Sequence, residues 1–76
     1  MINVKLKELR PILNADTINI EWNGKENYFI KEKNSKRNEY LSISKDTLAS
    51  MWDIFGEYEI KEIYVEEEIL IITIEY

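Results

Sequence analysis

The chemistry open to this chain is set first by two missing side chains. Neither histidine nor cysteine occurs in its 76 residues. Ser-His-Asp and Cys-His nucleophile systems are therefore excluded, as is a zinc site of the common type, built on imidazole and thiolate. The only glycines are Gly24 and Gly56, so there is no glycine-rich phosphate loop. What remains is carboxylate. Two carboxylates can do acid–base work, as in glycoside hydrolysis, but that needs a cleft, and so small a domain has little volume for one. The expectation is a protein that is not an enzyme and holds no cofactor.

The carboxylates gather late in the chain. Residues 1–38 carry a net charge of +3 and residues 39–76 a net charge of −8, within an overall −5. Glu66-Glu67-Glu68, with Glu57, Glu59 and Glu62, is the most conspicuous polar feature, and it reads two ways. One is a solvated hairpin turn and strand edge, where charge also discourages sheet-to-sheet aggregation. The other is a docking surface for a protein partner with a basic surface, or a mimic of nucleic acid. Metal binding is disfavoured, because consecutive glutamates alternate direction along a strand and no calcium-loop spacing is present. The acidic balance also disfavours direct nucleic-acid binding.

The basic residues Lys31, Lys33, Lys36 and Arg37 read as a solvated connection. Alternatively, they are phosphate contacts in an oligomer that sequesters a small ligand such as a nucleotide signal. No aromatics interleave with them to stack bases. Trp22 and Tyr76 are candidate interface anchors, since both types are enriched at binding hot spots, with packing back onto the domain as the other reading. Trp52, Phe55 and Tyr58 read as core.

These groups must be positioned by a few short elements. Ile2–Val4 suits a short strand. Leu6, Leu9 and Leu13 share a helical face, and Pro11, which has no N–H, should distort that helix. Thr17–Glu21 alternates as a half-buried strand, and Asn23-Gly24 follows as a hairpin signal. A two-residue loop would pair Ile18 with Phe29 and leave Tyr28 and Ile30 on the polar face. A three-residue loop would pair Ile18 with Tyr28 and join apolar to apolar, so it is preferred, leaving Trp22 at the turn and partly exposed. The second strand runs to Lys31, the segment 33–38 is a mobile loop, and Tyr40–Ile43 is a short third strand.

Ser44 suits an N-cap for a helix Lys45–Phe55, with Leu48, Met51, Trp52 and Phe55 at helical spacing and Gly56 as a left-handed C-cap. Tyr58–Tyr76 then forms two antiparallel strands. The apolar parity flips midway through the first, which predicts a β-bulge near Lys61-Glu62. The second has Leu70, Ile72, Ile74 and Tyr76 on one face and Ile69 and Ile71 on the other. It therefore needs cover on both, from helices or from another copy in a homodimer. The fold class expected is α+β: an antiparallel sheet of four to five strands with two short helices, the C-terminal β-hairpin central, in one domain spanning residues 1–76.

An apolar fraction of 45% with 12% aromatic is globular rather than disordered. The start, Met1–Lys5, lacks a signal peptide's apolar run, and the longest apolar stretch, Ile69–Ile72, is far short of a membrane span. With no disulfide possible, the expected location is the cytoplasm of a host cell. Ile, Lys, Asn and Glu dominate, as in products of AT-rich genes. In its pattern of apolar positions, across Val4–Leu13, Thr17–Ile20, Tyr58–Ile63 and Ile69–Ile74, the chain resembles small accessory proteins of phages and prophages in AT-rich bacteria. The resemblance implies a mobile-element context in which non-enzymatic inhibitors of host defence are frequent. It names no active residue. Three functions follow as expectations: an acidic protein-binding module, a ligand-sequestering oligomer, and a phage structural or assembly component.

Overall fold

The computed structural model describes residues 3–43 and 49–75. It is an α+β fold with one mixed five-stranded sheet: β1 (Thr17–Trp22), β2 (Lys25–Lys31), β3 (Tyr40–Ser42), β4 (Glu59–Glu66) and β5 (Ile69–Glu75). The strand order is β3-β2-β1-β5-β4. A 3-10 helix, Leu6–Leu9, and one short helix, α1 (Met51–Phe55), lie on one face.

The sheet is not purely antiparallel, because β5 runs parallel to β1, with Ile18 beside Leu70 and Ile20 beside Ile72. A parallel neighbour needs a long crossover. Here β2, β3, α1 and β4 all intervene before the chain returns to β1. The C-terminal hairpin is accordingly not central. β1 holds the middle, β5 is an inner strand, and β4 is the sheet's edge.

The Asn23-Gly24 loop has two residues, not three. Trp22 pairs with Lys25 and Ile18 with Phe29. Asn23 and Gly24 take φ of 53° and 76°, the left-handed pair of a type I′ turn, whose twist matches that of the strands. Turn chemistry thus overrides apolar matching, and Tyr28 and Ile30 go to the face opposite the core. The predicted bulge is present: Ile60 pairs with Ile74 and Glu62 with Thr73, leaving Lys61 as the extra residue.

The first helix is reduced to a 3-10 turn. The Lys7 carbonyl accepts from the Arg10 N–H at 3.2 Å, because Pro11, one residue on, has no N–H to give. The Lys5 N–H is capped by Glu8 Oε2 at 2.7 Å. Val4 is not in a strand, although its carbonyl accepts from the Ile60 N–H at 2.8 Å. The expected helix Lys45–Phe55 is also shortened. Residues 44–48, with the proposed Ser44 cap, lie outside the described residues. Ser50 is extended and bridged to Leu41, so the helix starts only at Met51. Gly56 is right-handed, not left-handed. Its lack of a side chain matters for space, since a Cβ there would collide with the Trp52 carbonyl oxygen.

The core joins Leu6, Ile18, Ile20, Phe29, Tyr40, Met51, Trp52, Phe55, Ile60, Ile72 and Ile74. Its aromatics meet at their edges, Phe29 on Phe55 and Tyr40 on Trp52, with ring centroids 6.0 Å apart in each pair. At the end of segment 33–38, Asn38 bonds to two other parts of the chain. Asn38 Nδ2 donates to the carbonyls of Arg10 and Leu13 at 2.8 and 2.7 Å, and the Asn38 carbonyl accepts from Trp52 Nε1 at 2.8 Å.

Candidate functional site

Both described helical segments cover one face of the sheet; none covers the other. Strand alternation gives the membership of this open face from the register. It holds Thr17, Asn19 and Glu21 of β1; Glu26, Tyr28 and Ile30 of β2; and Leu41 of β3. From β5 and β4 it takes Ile69, Ile71, Thr73 and Glu75, and Glu59, Glu62, Tyr64 and Glu66. Six of these ladder positions are glutamate and none is lysine or arginine. The single cation of β4, Lys61, is the bulge residue.

The centre of the face is apolar and aromatic. Ile71 stands beside Asn19 on one side and Tyr64 on the other, with Tyr28 opposite Asn19 on β2. Ile71 and Asn19 are 6% and 3% exposed, shielded by these flanking side chains although no described element lies above them. Asn19 Oδ1 accepts the Asn27 N–H at 3.1 Å, which satisfies one end of a buried amide. A notch of about 200 Å³ opens here, lined by Asn19, Glu21, Glu26, Tyr28, Glu66 and Ile71 among others.

The carboxylates act on the tyrosines as one negative field. The Tyr28 hydroxyl donates to Glu26, and the Tyr64 hydroxyl donates to Glu21 Oε1 at 3.2 Å. The Tyr28 phenol titrates above its ordinary value, first because its proton is held by Glu26 and then through burial and the charges of Glu26, Glu21 and Glu66. Tyr64 is raised too, first by burial, then by its bond to Glu21 and by the charges of Glu21, Glu66 and Glu62. Negative charge opposes forming a phenolate.

The expected site residues divide. Glu59, Glu62 and Glu66 belong to the open face. Glu57 does not: Lys7 and Lys5 hold it at 2.7 and 3.1 Å, and these bonds keep its carboxyl below the usual range. Glu67 and Glu68 form the exposed hairpin loop, with φ of 50° and 68°. Trp22 is half-buried and packs inward on Phe55 and Tyr58 at 6.0 and 6.1 Å. Tyr76 lies outside the described residues. Glu21, Glu26, Tyr28, Tyr64 and Asn19 were not singled out in the sequence. The polar parity of Thr17–Glu21 was the available signal for Asn19 and Glu21.

The basic residues divide as well. Lys36 and Arg37 line a broad groove of about 850 Å³ on the helix-bearing side, together with Lys7 and Arg10. Arg10 is occupied there, donating to the Arg37 carbonyl at 2.8 Å, pairing with Glu39 at 3.4 Å and lying over the Trp52 ring. Lys31 bonds Asn14 Oδ1 at 2.8 Å. Lys33 is exposed and does not line the groove.

Among the described residues, no group of three or more carboxylates converges as a metal site, and no helix is long and apolar enough to cross a membrane. Compared with known proteins, the chain matches no protein-family model, no curated protein and no solved structure.

Proposed function

We propose that this protein is a non-catalytic binding module that docks a basic protein partner on the open face of its sheet. One observation carries the reading: six glutamates from four strands share a face with Tyr28 and Tyr64, which no described element covers. An interface needs an apolar or aromatic centre that excludes water, and a charged surround that selects the partner. The resemblance to phage accessory proteins supplies the context, a host or phage protein as the target and inhibition of host defence as the outcome.

A second copy is the poorer occupant, because stacking two such faces would bring both sets of glutamates together. The test compares pull-downs from bacterial lysate by wild type, by a face variant (Glu21, Glu62 and Glu66 to Lys) and by a groove variant (Lys36 and Arg37 to Glu). Recovery of one protein by wild type and groove variant, and its loss with the face variant, supports the reading. Equal recovery by all three contradicts it.

The groove of Lys36 and Arg37 favours the second reading, phosphate capture from a small ligand. Thermal shift with a dinucleotide checks it, and a stabilisation lost in the groove variant would transfer the function to that side.

A further inference from the structure

We infer that β4 receives an extended segment of the partner as a sixth strand, with basic side chains on the open face and apolar ones on the other. This rests on the docking reading above and adds its mode.

β4 is the last strand in the order, and beyond the Lys5–Glu59 bridge no described strand or bridge pairs with its outer edge. The backbone phase along that edge is set by the bulge. Tyr58 and Ile60 turn their groups outward, the carbonyl to the Leu6 N–H at 2.9 Å and the N–H to Val4 at 2.8 Å. An antiparallel strand turns alternate residues outward, and one inserted residue, Lys61, shifts that alternation by one. From there the outward N–H and C=O groups belong to Ile63 and Val65.

The side chains at this stretch are also unfilled. Ile63, Tyr64 and Val65 are 42%, 37% and 67% exposed. Ile63 and Val65 pair with Ile72 and Leu70 on the core-side face, where α1 and the 3-10 helix do not cover them. Glu62, Tyr64 and Glu66 alternate onto the open face. A long, partly apolar edge strand is a template for strand addition, with main-chain bonds giving affinity and alternate side chains giving specificity. The segment that fits sets lysine or arginine against Glu62 and Glu66, and aliphatic residues beside Ile63 and Val65. A second copy fits less well. Edge-to-edge pairing about Tyr64 would set Glu62 directly opposite Glu66 of the other copy at both ends, and like charges so placed repel.

The probe is a short peptide of alternating lysine and valine, with a control of the same composition in separate lysine and valine blocks. The alternating peptide should bind at least about tenfold more tightly than the control. It should also protect the Ile63 and Val65 amides from hydrogen exchange, and these should exchange rapidly in the free protein. Val65→Pro removes an outward N–H at an edge, where proline is tolerated, and should weaken binding by at least about tenfold. Binding that perturbs Asn19 and Tyr28 but neither protects those amides nor responds to Val65→Pro overturns strand addition and leaves the face reading standing. Absence of binding also overturns strand addition, while the lysate comparison judges the face separately. A dimer in sedimentation, with the two amides already protected, overturns it and gives the edge to a second copy.

Discussion

At the residue scale, Asn38 and the two tyrosines of the open face show how single side chains carry separate duties. Asn38 sits at φ 55°, where asparagine is among the few residues at ease, and it joins the proline turn, the β2–β3 loop and Trp52. Asn38→Ala removes two hydrogen bonds to carbonyls and leaves a less suitable residue in a left-handed conformation. Stability should fall by about 2–3 kcal/mol in urea unfolding. Asn38→Gly relaxes the backbone and should cost less. Tyr28 and Tyr64 should ionise above the ordinary tyrosine range in an absorbance titration. Glu26→Gln should draw Tyr28 back down, and Glu21→Gln should do so for Tyr64. The sign follows from the raised folded values: the stability each bond adds is present below the unfolded tyrosine pKa and is lost as pH rises through the folded one.

At the element scale, the two hairpins use the same turn with unequal residues. Asn23-Gly24 suits the left-handed pair, whereas Glu67-Glu68 adopts it at a cost of about 1–2 kcal/mol per residue. Replacing Glu67-Glu68 with Asn-Gly should raise stability by about 1–2 kcal/mol and the melting temperature by about 4–8 °C per kcal/mol. An unchanged or lower melting temperature would show that the glutamates bear no such strain.

These hairpins also show what was legible in advance. The strand pattern of β1, the bulge at Lys61 and the glutamate turn could be read from local periodicity. The register of β2 could not be read from apolar matching, because that rule assumes every apolar side chain seeks the core. In β2 the core face carries Lys25, Asn27 and Lys31 around one aromatic, Phe29, while Tyr28 and Ile30 are turned out. A register that leaves apolar side chains uncovered is a local conflict, and such conflicts gather at functional sites. The parallel pairing of β1 with β5 was also invisible locally, since it joins segments some fifty residues apart.

At the scale of the whole molecule, the charge asymmetry along the chain becomes an asymmetry in space. The late glutamates of β4 and β5 join Glu21 and Glu26 from the basic half, so the open face draws acid from both halves of the sequence. On the other side, Lys7, Arg10, Lys36 and Arg37 ring the groove. Charges this exposed are screened over about 8 Å at physiological salt. Binding at the face should therefore weaken steadily as salt is raised, with the apolar centre supplying the remainder.

The most direct test of the acidic-face reading is chemical-shift mapping of the isotope-labelled protein titrated with the alternating lysine–valine peptide at about 0.15 M salt. The account predicts saturable shifts centred on Asn19, Glu21, Tyr28, Tyr64 and Ile71. Shifts centred on Arg10, Lys36 and Arg37 would contradict it.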